Sequence, residues 1–411
     1  MGKRKNKVLV ITTWPFNDGL ILSYVLPYVM MTRQQLNPDD EIYIVSQEHD
    51  LKRLEAEQVK TLLADLAMQN IFLKPEVYAR LGIRKYLKFP LEIIKYTWFI
   101  LSKGITVIHT HAMGAGMQGT ILSWLTGRPL VGDSYEPLAE SMIESGTWKR
   151  DSLPYKTMLF FEKKLTKRAR HLIACTPAMK DYAAGTYGIT LRDLKWKPAC
   201  VNLDLFRYDA AVARAVRAEL GFTNSIVGIY VGKFGSQYLD REIFDFFRVC
   251  REFWGDRFRI LILSSHTEAE IETYCREAGI SSALITKKFV PHNEVNRYMM
   301  AADFAITPVK PIPSKRYCTP MKDGEYWGIG LPVVITENIS DDSDIIEKER
   351  IGAVLRRFDV AGYTEAVRTI DGLLAEGEEL RKRVRACAER YRSYTIAEKV
   401  YKDIYSTLKA G

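Results

Sequence analysis

Two consecutive α/β domains, each a parallel sheet wrapped by helices and facing a shared cleft, with a last helix returning to the first domain: three observations predict this fold class. Short apolar runs alternate with longer helical patterns in both halves of the chain, the grammar of β-α-β units. The pattern restarts after an irregular stretch, KPACVNLDLFRYDAAVARAVRAELGF, that separates two complete α/β patterns. At about 100 to 200 residues per domain, the 411 residues suit two large domains.

The elements follow in order. In the first half KVLVITT, EIYIVS, ITVIHTH, PLVGDS and HLIACT are strand candidates. Helical patterns cover Leu20 to Gln35, a charged stretch after EIYIVS, Met117 to Leu125, and a Pro-initiated segment at Pro177. In the second half IVGIYVG, RILILSS, ALITKKF, DFAIT and PVVIT are strand candidates, each followed by a turn signal or a helical pattern. The boundary is placed near Phe206 to Gly221, giving domains 1–205 and 206–395. Residues 396–411 form the helix expected to pack back on the first domain. Ligands of such domains bind beyond the carboxyl ends of the strands, so chemistry is expected there.

Composition narrows the class. Apolar residues make up 47% and charged residues 27% of the chain, which excludes a disordered protein. Lys and Arg outnumber acids 59 to 50, a net charge of +9 that suits phosphate-bearing ligands or an anionic membrane. Because the basic residues are spread along the sequence, nucleic acid is not expected as a partner. Six scattered cysteines without a C-x-x-C pair imply neither a disulfide framework nor a zinc site. The basic start, Met1 to Lys7, leads into the short run VLVITTW, read as a buried strand rather than a signal peptide. A cytoplasmic location is expected. Phe89 to Leu101, interrupted by Glu92 and Lys95, is too short to span a bilayer. The aromatic-rich segment Lys85 to Lys103 suits peripheral docking on an anionic membrane, and equally a core helix with exposed lysines.

The most informative segment is TPMKDGEYWGIGLPVVIT, Thr319 to Thr336. Thr319 suits an N-cap, Pro320 the first helical position, and Gly330 with Pro332 the stop, predicting a helix from Pro320 to about Ile329. Lys315 and Arg316 precede its positive end and Lys322 lies in its first turn, an arrangement for holding phosphate. Glu325, further in, is placed to accept hydrogen bonds from ribose hydroxyls. A solvated Lys-Glu pair on an ordinary capped helix is the alternative for this segment alone. Gly232 to Tyr238 (GKFGSQY) puts Gly232 and Lys233 at a β-to-α turn, where a backbone approaches a ligand and Lys neutralises developing diphosphate charge. Gly19, in Trp14 to Tyr24, occupies the equivalent first turn of the chain. His109 and His111 share a strand face; with no third ligand adjacent in sequence they read as a strand-end pair rather than a metal pair. Asp342-Ser343-Asp344 reads as a charged helix N-terminus, and no metal is assigned.

Together YVGKFG, FVPHNEVNRYMMAADFAI, TPMKDGEYWGIGLPVVI and DIIEKERIGAVL resemble the carboxyl-terminal domain of retaining glycosyltransferases of family 4, which have the B-type two-Rossmann (GT-B) fold. VIHTH, DSYEPLAESMIESGTW, HLIACTPAMKDYAAGTYGI and KPACVNLDLF are similar to that family's acceptor-side domain. The resemblance implies sugar transfer from a nucleotide-diphosphate donor, with retention and without a metal or other cofactor, to a glycan or lipid-linked acceptor in cell-surface polysaccharide or glycan biosynthesis. By position, Glu325 would hold the ribose, Thr319, Pro320 and Met321 would meet phosphate or sugar, and Lys233 with Gly232 would meet the diphosphate. Gly19 would lie beside the diphosphate and Val290 near the base.

Three positions depart from the family. Tyr317 stands where an acid often touches the donor sugar. No basic residue follows the Gly-Lys turn around Gln237 or Tyr238, and Lys322 is the candidate to supply that charge. Leu138 replaces a reaction-centre His, leaving His111, Glu136 or Glu140 for its polar role. A nucleotide-binding scaffold that lost chemistry is therefore the second reading. A non-hydrolysing epimerase ranks lower, since no acid/base set for proton transfer at carbon stands out.

Overall fold

The computed structural model describes residues 5–16, 18, 19, 21–78 and 83–409. The chain divides into two compact units, Met1–Pro198 with Thr395–Gly411, and Ala199–Tyr394. The first unit opens with β1 (Lys7–Thr12), α1 (Leu26–Gln34), β2 (Glu41–Glu48), α2 (Glu57–Met68), β3 (Ile71–Val77) and α3 (Ile83–Lys103). It continues through β4 (Val107–His111), α4 (Met113–Thr126), β5 (Leu130–Tyr135), α5 (Leu138–Glu144), α6 (Leu153–Arg168), β6 (His171–Ala174), α7 (Met179–Tyr182) and β7 (Leu194–Trp196). The second unit contains α8 (Ala210–Glu219), β8 (Ile226–Val231), α9 (Arg241–Trp254), β9 (Phe258–Leu263), α10 (Glu268–Ala278), β10 (Ile285–Lys288), α11 (His292–Met299) and β11 (Phe304–Thr307). After these come α12 (Met321–Ile329), β12 (Val333–Thr336), α13 (Asp342–Glu349), β13 (Gly352–Leu355), α14 (Val360–Leu374) and α15 (Glu378–Tyr391); α16 (Tyr394–Lys409) returns to the first unit.

Both sheets are parallel, with strand orders β3-β2-β1-β4-β5-β6-β7 and β10-β9-β8-β11-β12-β13. Strand order reverses beside β1 and beside β8, which makes each unit Rossmann-like and puts a switch point at the carboxyl ends of β1/β4 and β8/β11. The strands are apolar because helices cover both faces; Val8 to Ile11 and Ile260 to Ile262 are fully buried. Gly119 presses α4 onto the first sheet, since a Cβ there would stand 2.3 Å from Thr110 Cγ2.

Three strands escape the alternation read from sequence. β3 is interrupted by Pro75, tolerated because β3 lies at the sheet edge. β7 and β13 have three and four residues, too few for a period to register. The helix expected at Pro177 starts instead at Met179.

Candidate functional site

In the second unit β8 ends at Val231 and the chain turns through Gly232 to Gly235 before α9, whose N-cap Asp240 accepts from the Arg241 N–H. Gly235 has φ +79°, a conformation that favours glycine. At Gly232 a Cβ would stand 2.7 Å from the Tyr230 hydroxyl, which donates to the Lys233 carbonyl at 2.5 Å. The Phe234 N–H donates to His266 Nε2 at 3.0 Å, so that nitrogen is the acceptor. The turn is thus pinned from both sides, and the Lys233 side chain is left exposed.

The segment before α12 adds a second cation. Lys315 Nζ, on a largely buried side chain, donates to Gln237 Oε1 at 2.5 Å. Lys315 thus stands beside Gln237, where the sequence shows no basic residue, while Lys322, the candidate named for that charge, donates to Glu325 Oε2 at 2.6 Å.

α12 begins one residue later than expected. Pro320 is its N-cap and supplies no capping side chain, while the Thr319 hydroxyl sits 3.0 Å from that of Ser340. Proline has no side-chain acceptor, so the first N–H groups of α12 are not capped by it. At the other end Gly330, φ +83°, closes the helix. Glu325 is buried, with 1% of its surface exposed, so its pair with Lys322 is not the solvated surface pair of the alternative reading. The Tyr326 hydroxyl accepts from the Val231 N–H at 3.0 Å and joins α12 to the end of β8. Gly324 lets the helix lie close to Val201 and Arg392; a Cβ would meet them at 2.9 and 3.3 Å.

Behind α12 lies a cluster that sequence reasoning missed. Asp323, Asp342 and Arg392 are all buried; Arg392 donates to Asp342, and the Thr307 hydroxyl donates to Asp323. Burial first, then the charge of Asp342, pushes Asp323 well above the usual carboxylate range. Asp342 and Asp344 do open a helix, α13, but Asp342 pairs with Arg392 and Asp344 with Arg316, and neither caps it. Val290 follows β10, half-buried against the core, and its neighbour Phe289 is 74% exposed. That exposed aromatic was also missed, although its place after a strand end was a usable signal.

In the first unit Gly19, His111 and Glu136 follow or end β1, β4 and β5, at carboxyl ends around the switch point. Gly19 is exposed and its carbonyl accepts from the Ser23 hydroxyl. Asn17 and Leu20 of that segment lie outside the described residues. His111 is fully buried: its Nδ1 and the Nε2 of His109 each stand 3.8 Å from Asp133 Oδ2, completing the third ligand-type group that sequence did not show. The two rings stack within 10° of parallel, so their in-plane lone pairs do not converge on one point. Lys197 Nζ fills the charge role, 3.1 Å from Asp133 Oδ1 and 3.7 Å from the centre of the Tyr28 ring. Burial lowers His111 to about 3, so it is neutral. From α16, Tyr401 donates to Asp133 and the Tyr405 hydroxyl meets His109 Nδ1 at 2.8 Å.

Leu138 opens α5. Of its three candidate replacements, His111 is enclosed as described and Glu140 is engaged by Arg150 at 2.9 Å and Tyr155 at 2.6 Å. Glu136 is half-buried on the segment between β5 and α5. Beside it Glu162, missed in sequence, accepts from the Ala139 N–H and the Tyr187 hydroxyl, both at 2.8 Å. Burial raises Glu162 to about 7.

Residues 29–205 match the family model for Glycosyltransferase Family 4. No curated protein matches the chain. Among solved structures it is similar to Anabaena HepE in complex with UDP, with 15% identity, TM-score 0.70 and coverage of 97% of this chain and 100% of that one. It is also similar to sucrose-phosphate synthase from Thermosynechococcus elongatus, with 16% identity, TM-score 0.73 and coverage of 99% and 100%. A third is WaaG, a glycosyltransferase involved in lipopolysaccharide biosynthesis, with 13% identity, TM-score 0.68 and coverage of 97% and 99%. These likenesses give the GT-B fold.

Proposed function

We propose, from the premise that the chain belongs over residues 29–205 to Glycosyltransferase Family 4, that this GT-B glycosyltransferase moves a sugar from a nucleotide-diphosphate donor to a glycan or lipid-linked acceptor with retention. The observation that carries the reading is α12: a helix start without a capping side chain, a buried Glu325 one turn further in, and a hydrogen bond from the Val231 N–H to the Tyr326 hydroxyl tying the helix to the end of β8, next to the Gly232–Gly235 turn. Helix N-terminal N–H groups favour anions, so donor phosphates meet Thr319, Pro320 and Met321 while Glu325 accepts from the ribose. HepE has been solved with UDP-glucose, which supports a nucleotide-sugar donor of this kind. Phe289, exposed beside Val290, offers a face on which the base stacks.

Retaining transfer by same-face attack breaks the bond from sugar to phosphate while the leaving phosphate takes the acceptor's proton, so the chief demand is stabilisation of diphosphate charge. Lys233 and Lys315 supply it from the turn and from Gln237, and no metal is required in this reading. Lys322, bonded to Glu325, orients the ribose carboxylate as well as adding charge. Glu136 takes the polar part that Leu138 leaves open. The setting is cell-surface glycan synthesis in the cytoplasm at an anionic membrane.

A panel of nucleotide sugars tests this directly. Glu325→Ala is expected to weaken donor binding about tenfold, equal to about 1.4 kcal/mol, with the fold unchanged; unaltered affinity removes the ribose assignment. Lys233→Ala is expected to lower kcat more than donor affinity. Tyr317 and Leu138 favour the second reading, a nucleotide-binding scaffold, which would bind donors without turning any over.

A further inference from the structure

The helix α3 is apolar on two faces. Ile93, Tyr96 and Ile100 are buried, whereas Leu91, Ile94, Trp98 and Leu101, spaced three, four and three apart, are exposed, Trp98 to 70% and Ile94 to 66%. A helix covered on both sides by apolar residues belongs either inside a protein or against a second apolar phase. β3 to β4, β4 to β5 and β5 to β6 all step the same way along the sheet, so right-handed crossovers set α3, α4 and α6 on one sheet face. α3 packs on α4 and α4 on α6, and this layer also exposes Trp124 and Phe160.

Charge selects the second phase. α3 and α6 hold ten Lys and Arg against two acids, a surplus of eight, while the whole chain carries +9. Eight of the chain's net nine positive charges thus fall on two helices of this layer. Both acids, Glu92 and Glu162, are buried. Lys88 and Lys95 pair with the buried Glu92 and Glu76. Lys103, Lys163, Lys164 and Lys167 stand at or near the surface, with Lys164 Nζ 5.1 Å from the centre of the exposed Phe160 ring. An apolar stripe with Trp at its middle, rimmed by lysines, fits an interface of acyl chains under anionic headgroups. A second copy of the chain would bring the same positive surplus against itself.

We propose that the outer face of α3, α4 and α6 is the surface on which this protein docks to an anionic lipid bilayer, with Leu91, Ile94, Trp98 and Leu101 entering the headgroup boundary. The proposal names the membrane surface of the functional reading and rests on that reading for its purpose only, because vesicle binding requires no turnover.

Co-sedimentation of the full chain with phosphatidylglycerol vesicles tests it. Binding is expected to phosphatidylglycerol and not to phosphatidylcholine, falling as salt is raised. Ile94→Glu with Trp98→Glu, and separately Lys163→Glu with Lys164→Glu, are expected to cut the bound fraction about tenfold with the thermal unfolding midpoint unchanged. Equal binding by wild type and both variants, or no binding by wild type, overturns the proposal. So does sedimentation velocity that finds a wild-type dimer dissociated by Trp98→Glu, which would give the stripe to a second copy.

Discussion

Asp133 in the first unit and Asp323 in the second are buried to the same degree, and their protons go opposite ways. Burial by itself raises any carboxyl group. Around Asp133 that effect is overcome first by Lys197 and then by His109 and His111, which hold it well below its ordinary value, and Tyr401 donates to the same carboxylate. Asp323 has no cation of its own: Arg392 is spent on Asp342, whose charge adds to burial and keeps Asp323 protonated. The difference teaches that the position of one cation, not depth, sets the charge state of each cluster. Glu162 is the intermediate case, with two hydrogen-bond donors and no cation, and it titrates at about 7.

Removing the cation is the largest way to break the comparison. Lys197→Met leaves Asp133 buried and unpaired, and loss of one partner of such a pair costs on the order of 3 to 5 kcal/mol. Because Asp133 is depressed, its contribution is present above its unfolded value of 3.8 and lost as pH falls below it. In the variant burial raises Asp133 instead, so the loss on acidification is expected to disappear and stability to fall as pH rises, which urea unfolding at several pH values would show. A variant as stable as wild type would mean that the imidazoles and Tyr401 suffice.

Glu162→Gln is the next in size. A raised carboxyl group binds an extra proton in the folded state, so its stability contribution is full below pH 4.5 and lost as pH rises through about 7. A shift of this size corresponds to roughly 3 kcal/mol. The Gln variant is neutral throughout and is expected to lose this decline, matching wild type below pH 4.5 and exceeding it at pH 8. Parallel stability curves for the two proteins would show that Glu162 is ionised at neutral pH.

How much of this was legible in the sequence depends on distance along the chain. α12 was readable because Pro320, Gly330 and Pro332 are local signals, and the alternation of strands and helices gave both units. Its start was misplaced by one residue because a Thr before Pro looks like a cap whether or not its hydroxyl turns toward Ser340. Lys315 and Gln237 stand 78 positions apart, and Asp133 and Tyr401 stand 268 apart. No periodicity carries such pairings, so the buried clusters and the second cation appeared only with the fold. The charge of α3 and α6 was visible residue by residue, but the handedness of the crossovers is what gathers it onto one face.

The smallest effect is expected at Asp323, and it is the sharpest test of the comparison. Oδ2 of Asp323 and Oδ2 of Asp342 each lack a hydrogen-bond partner as bare carboxylates, and a proton carried by Asp323 and offered to Asp342 satisfies both. Asp323→Asn keeps this arrangement: its carbonyl oxygen accepts from Thr307 and its amide donates in place of the carboxyl proton. The change is expected to cost less than about 1 kcal/mol near the unfolded pKa, as near-isosteric neutral exchanges with retained hydrogen bonds do. Wild type gains from its raised group below pH 3.8 and loses that gain as pH rises, so the Asn variant is expected to equal or exceed wild type at alkaline pH. Donor affinity should be unchanged, because Asp323 bonds to Thr307 and Asp342 and takes no part in the Lys322–Glu325 bond. If Asp323→Asn instead destabilises the second unit at every pH as strongly as Lys197→Met does the first, Asp323 is ionised and both clusters run on paired charge.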